Sequence, residues 1–159
     1  MDLGSATLWG LIATLALTTL MQGAQGLGLS RMSIPFILGM ILTPNRNTAP
    51  ILGFAIQCAI GWAVAIVYAL VFESLGTARW WLGGLMGLAH GIFILVAVLP
   101  LLPGVHPRMA SEHHGPEPTG ALEPPGFLAL NYGRRTPLVT LVAHMLYGVV
   151  LGAFYQLAG

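Results

Sequence analysis

The sequence predicts an all-α fold, an integral membrane four-helix bundle, on three observations. Only 7% of its 159 residues are charged and 56% are hydrophobic, and a mean hydropathy of +0.81 leaves too little polar side chain to wet a soluble domain. Four apolar runs, at about 6–29, 50–72, 80–102 and 137–157, are each long enough to cross a hydrocarbon core that needs ~20 helical residues. Within these runs the few polar side chains recur at helical spacing, so that one face is polar or small. One transmembrane domain covers 1–159, with 103–136 as its long polar loop.

Run four, PLVTLVAHMLYGVVLGAFYQL from Pro137 to Leu157, sets Thr140, His144, Tyr147 and Tyr155 on one face with Gly148 and Gly152 between them. Laid without gaps on run two, it pairs Pro137 with Pro50, His144 with Gln57, Gly148 with Gly61, Gly152 with Ala65 and Tyr155 with Tyr68. Arg31-Met32-Ser33 after run one is echoed by Arg108-Met109-Ala110 after run three. These pairings predict an internal repeat, two helical hairpins of the same polarity related by an axis along the membrane normal.

Run one follows Met1-Asp2-Leu3-Gly4-Ser5 with no Lys or Arg before Arg31. It lacks the basic flank of a secretory signal and is expected to stay as an anchor. Thr7, Thr14, Thr18, Gln22 and Gln25 form a stripe that should turn inward, because an unpaired amide in hydrocarbon is costly. Such a stripe either makes interhelical hydrogen bonds, worth ~0.6–2 kcal/mol each, or walls a small polar cavity.

The linker 30–49 holds a short apolar piece from Ile34 to Leu42, opened by Pro35 and closed by Pro44. It is too short to span and is expected to be interfacial or re-entrant. Run two ends at Glu73, and a short connection through Arg79 predicts that runs two and three are antiparallel neighbours. Trp80 and Trp81 open run three as an interfacial belt would. Gly83, Gly87 and Gly91 recur every four residues, and Gly148 and Gly152 do the same in run four, a spacing that lets helices approach closely.

His90 lies near the middle of run three, where an imidazole must face the bundle interior to find a partner. Counted from the linkers, Gln57 and His144 sit ~10 Å inside the membrane and His90 about a turn and a half deeper. The expected geometry is a vestibule open toward the two long linkers and closed at the other end. Its polar seam comprises Thr14, Thr18, Gln22, Gln25, Gln57, His90, His144 and Tyr147.

For a metal, the candidates are His90 and His144 in the spans and His106, His113 and His114 in the loop beside Glu112. The competing reading of the loop is a solvated linker. There is no HExxH, paired carboxylate, phosphate loop or nucleophile beside a histidine, so no enzymatic activity is expected. The lone Cys58 can form no internal disulfide and is expected to pack. A net charge of +1 with no Lys carries no nucleic-acid footprint, and the expected partners are the lipid bilayer and a homo-oligomer or larger membrane complex.

The stretches GLIATLALTTLM and LGLSRMSIPFILG in the first half, with GLAHG and LVAHMLYGVVLGAFY in the second, resemble a family of small four-helix bacterial inner-membrane proteins that carries no assigned activity. In that family a histidine often precedes the glycine of the second helix, where this chain has Gln57. The resemblance implies a multi-pass protein of the cell inner membrane. Arg31, Arg46, Arg108, Arg134 and Arg135 lie in the first and third linkers against Arg79 alone in the second. By the positive-inside rule the linkers 30–49 and 103–136 are cytoplasmic and both termini external.

Three functions fit this pattern. The first is a non-enzymatic bundle or complex subunit, needing no cofactor, whose polar seam sets helix register. The second is a transporter or permeation subunit for a proton, metal ion or small polar solute. The third is a haem- or metal-binding protein that uses His90 and His144.

Overall fold

The computed structural model describes residues 1–111 and 122–158. Four helices begin where the sequence supplies a cap or a proline for the first turn. The Asp2 carboxylate accepts from Ser5 N–H at 2.9 Å and starts α1 (Leu3–Gly26). Ser33 caps Phe36 N–H at 3.4 Å and, with Pro35 in the first turn, starts α2 (Ile34–Leu42). Pro50 and Pro137 occupy the first turns of α3 (Ala49–Leu75) and α6 (Thr136–Phe154). Helix α3 takes in Glu73 and stops at Gly76, whose φ of +63° gives a left-handed cap.

The third span, Trp80–Val105, is not a uniform helix. It runs as α4 (Trp80–Phe93), a π turn (Ile94–Val98) and α5 (Leu99–Val105). Pro100 explains the break: it has no N–H to return to the Val96 carbonyl and its ring would crowd that oxygen. Leu99 N–H instead reaches back five residues to Ile94 O. A 3-10 segment, Phe127–Tyr132, leads into α6.

Four helices are thus long and apolar enough to cross a membrane, and the protein is all-α. Large apolar side chains including Leu8, Leu15, Val67, Leu85, Phe93 and Leu138 are exposed on the outside, as a lipid solvent requires. One end of the bundle gathers both termini: the Met1 ammonium lies 3.6 Å from the Glu73 carboxylate, to which the Tyr155 hydroxyl donates at 2.7 Å. The other end gathers the linkers. There the Ser30 and Thr136 hydroxyls meet at 2.9 Å, Arg31 N–H reaches Tyr132 O at 2.7 Å and the Arg108 guanidinium reaches Met40 O at 2.6 Å.

Helix α1 packs on α3 and α6, and α6 packs on α4. The α4–α6 contact is glycine on glycine. A Cβ on Gly83 would overlap the Gly148 carbonyl, one on Gly148 would overlap the Gly83 carbonyl, and one on Gly87 would overlap the His144 carbonyl. Gly91 and Gly152 lie in the same contact, against His144 and the Arg79 carbonyl. The glycines whose spacing lets helices approach closely are thus used between α4 and α6 of one chain. Helix α2 folds back on α3 the same way, with Gly39 against the Ala49 carbonyl and Gly53 against the Pro35 carbonyl.

One expectation is corrected here. Helices α3 and α4 are joined only by residues 76–79 yet hardly pack on each other. The glycine face of α4 fits the backbone of α6 more closely than any face of α3, so the two helices diverge beyond their turn. A cleft is left between α3 and the π turn.

Candidate intramembrane binding site

The site is built from hydroxyls that bond back along their own helices. Thr14 donates to Gly10 O at 2.8 Å and Thr18 to Thr14 O at 2.7 Å. With its hydrogen so engaged, the Thr18 oxygen can only accept, and Gln57 Nε2 donates to it across the α1–α3 contact at 3.0 Å. That bond orients the amide. Gln57 Oε1 is left as a buried acceptor without a hydrogen-bond partner.

Helix α6 follows the same logic. Thr140 donates to Thr136 O at 2.9 Å, and His144 Nδ1 lies 2.8 Å from Thr140 O. A carbonyl can only accept, so in the neutral ring Nδ1 carries the hydrogen and Nε2 presents a lone pair. One turn on, the Tyr147 hydroxyl donates to Gly61 O at 2.6 Å, which leaves its oxygen free to accept.

The His90 ring stands edge-to-face against His144 with centroids 4.8 Å apart, and within 6.2 Å of Tyr68 and 6.4 Å of Tyr147. His90 Nδ1 and the Tyr68 hydroxyl are also buried without partners. Toward the termini the core is filled by rings, Tyr68 against Phe72 at 6.3 Å and Phe72 against Tyr155 at 5.9 Å. Toward the linkers lies a cavity of about 210 Å³ whose floor is Thr14, Gln57, Gly61, His90, His144 and Tyr147. Its walls are aliphatic, from Leu17, Ile37, Val64, Ile94 and Leu102 on five different elements. Its mouth lies in the α3–α4 cleft, where Ile60 and Val98 both line it and are both exposed to the surroundings of the bundle.

Other candidates lie elsewhere. Gln22 is exposed and Gln25 reaches only Arg31 O, at 3.4 Å; both border a separate groove with Arg31, Arg46 and Glu123 at the linker end. That near the helix end an amide reaches water or headgroups removes the reason for it to turn inward. Thr7 instead accepts from Trp62 Nε1 at 2.9 Å.

His106 is buried, its Nε2 donating to Ile37 O at 3.0 Å and its Nδ1 accepting from Arg108 N–H at 3.1 Å, so neither ring nitrogen is available to a metal. Glu112, His113 and His114 lie outside the described residues. Among the described residues no three His, Cys, Asp or Glu side chains come together to hold a metal ion. The edge-to-face contact of His90 and His144 leaves no slot for a haem plane between them.

Three parts of the site are not in the sequence-derived set. Tyr68 was paired with Tyr155 in the overlay but belongs beside the histidines. The Gly61 carbonyl carries no side-chain signal. Pro100, which sets the π turn, is visible in the sequence as a lone proline inside an apolar run.

Fold and cavity together define a class, an all-α membrane protein of four spans with a largely apolar cavity inside the bundle. No family model, curated protein or solved structure matches the chain.

Proposed function

We propose that this is a non-enzymatic multi-pass membrane protein whose cavity binds a small neutral molecule entering sideways from the bilayer. The observation that carries the reading is a cavity of about 210 Å³ inside the bundle, two of whose lining residues, Gln57 and His90, each hold a buried polar atom without a partner. A seam that served only to fix helix register would pair its own groups, since each unpaired one costs about 1–3 kcal/mol. A bound polar head would repay that cost. The absence of charge supports a neutral ligand: the described carboxylates, Asp2, Glu73 and Glu123, all lie toward the bundle ends.

A permeation pathway draws less support, because Tyr68, Phe72 and Tyr155 fill the core between the histidines and the termini. The duplicated-hairpin reading is supported by the matching places of Gln57 and His144, each eight residues after the first residue of its helix. The arginine distribution supports a cytoplasmic linker end in the inner membrane.

The test is direct binding to purified protein in lipid nanodiscs, with 4-hexylphenol and 4-hexylanisole as membrane-soluble probes. Saturable binding of at least one probe is expected. Val64→Trp or Ile60→Trp, which fill the cavity, should abolish it while the melting transition persists. Binding that survives both substitutions, or no saturable binding at all, overturns the reading.

A further inference from the structure

A second concave site lies outside the cavity, at the linker end. It is a groove of about 510 Å³ with Gln22 and Gln25, from the last turns of α1, on one side and Pro50, from the first turn of α3, on the other. Two spans end there, so the groove stands at the level of lipid headgroups. Beside Pro50 the exposed Ile51 and Leu52 continue the surface into the acyl region.

Helix α2 sets the charge that the groove presents. Its return against α3, with Gly39 on the Ala49 carbonyl, goes with an Arg46 guanidinium lying over the Phe36 ring, 4.9 Å from the centroid. Stacking uses a face of that planar group and leaves its N–H edges for an anion. The ion pairs among the described residues are Met1 with Glu73 and Arg31 with Glu123, so no described carboxylate neutralises Arg46. Arg31 does have its partner, at 3.2 Å, but the two side chains are 69% and 49% exposed, and so open a pair is weak. Arg108, at the same end, is already engaged by the Met40 and Ile41 carbonyls. The Ser33 oxygen accepts from Phe36 N–H and keeps its own hydrogen to give.

We infer that this groove binds the phosphate of an anionic phospholipid headgroup, with Arg46 and Arg31 as the cationic groups and the exposed Gln22 amide placed for headgroup hydroxyls. It does not rest on the binding reading above, since of the residues lining the groove only Ile37 also borders the cavity. An arginine fork matches two oxygens of one phosphate, and basic pockets between spans suit such headgroups. Two guanidiniums against one carboxylate favour a net negative headgroup over a zwitterionic one, whose ammonium would meet only Glu123, already paired with Arg31. The source is a lipid and not a soluble ester because the apolar surface of Ile51 and Leu52 adjoins the groove and gives the acyl chains a place to lie.

The experiment is native mass spectrometry of the purified full chain from detergent micelles, titrated with dioleoyl phosphatidylglycerol, dioleoyl phosphatidylcholine or glycerol phosphate. Wild type is expected to hold phosphatidylglycerol about fivefold more tightly than phosphatidylcholine, the scale of one basic residue beside an anionic headgroup. Arg46→Gln should bring the two lipids to parity, because Arg31 is then balanced by Glu123. Arg79→Gln, at the opposite end of the bundle, should leave the preference as it is. Equal affinity of wild type for the two lipids, or a preference that Arg46→Gln leaves intact, overturns the inference. Glycerol phosphate that displaces phosphatidylglycerol at equal concentration overturns the lipid as the source. The two-lipid comparison on wild type needs no substituted protein, so a variant that fails to fold does not blunt the test.

Discussion

His90 stands edge-on to His144, with 4.8 Å between ring centroids and 84° between their planes. Counting residues from the linkers places these imidazoles at different depths, yet they touch because Gly87 and Gly91 let α4 settle against the backbone and Cβ of His144. The contact depends on what α4 lacks. Side-chain bulk on that face would separate the rings.

Gly87→Leu should therefore destabilise the bundle by about 1–3 kcal/mol or more, the usual cost of overpacking. Gly23→Ala, at a helical site with nothing within 4 Å of the added Cβ, should be neutral or stabilising by about 0.5–1 kcal/mol. Unfolding in mixed micelles would measure both. Equal effects would mean that the α4–α6 glycine contact contributes nothing special.

Pro100→Ala restores an N–H that can serve the Val96 carbonyl, so the π turn should revert to α-helix. Ile94 and Val98 would then rotate relative to α4 and remodel the cavity mouth. A higher melting temperature with weaker 4-hexylphenol binding is expected. Hydrogen exchange across residues 94–99 reports the change of helix type.

His106→Leu removes a donor from Ile37 O and an acceptor from Arg108 N–H in a buried place. A loss of about 2–3 kcal/mol is expected, and α2 should loosen from the linker end. Adding zinc to the wild-type protein should leave its stability unchanged at this residue, which a melting curve with and without metal checks.

Burial, with Glu123 nearby, raises the Tyr132 phenol from its ordinary 10.0 to about 12. The folded state thus prefers the neutral phenol, and its advantage is fully present below pH 10.0. As pH rises to about 12 the unfolded chain ionises first, and stability falls over that window. Tyr132→Phe, which also gives up the 2.5 Å bond to Glu123 O, should show a lower plateau and a flatter alkaline limb in unfolding titrations.

Much of the fold is legible along the chain. Pro50, Pro137 and the cap at Asp2 mark helix starts, and Gly76 marks a stop. The glycine spacing of run three and the polar places of Gln57, His144 and Tyr147 can be read from periodicity. Less legible was the fate of Gln22 and Gln25, which share the stripe of Thr14 and Thr18 but leave the bundle near the end of α1. Helical spacing identifies a face; it does not say how far along that face the neighbouring helix continues.

By itself the sequence determined the all-α character, the number of spans and the residues with polar chemistry at mid-membrane. These depend on hydropathy, segment length and local caps, which are properties of neighbours in the chain. Only the tertiary structure decided that α4 leaves α3 for α6, that a cleft opens beside the π turn, and which atoms of Gln57 and Tyr147 accept. Whether a group gives or takes a hydrogen is set by its partner, and Thr18 is brought to Gln57 and Gly61 to Tyr147 by packing between elements far apart in sequence.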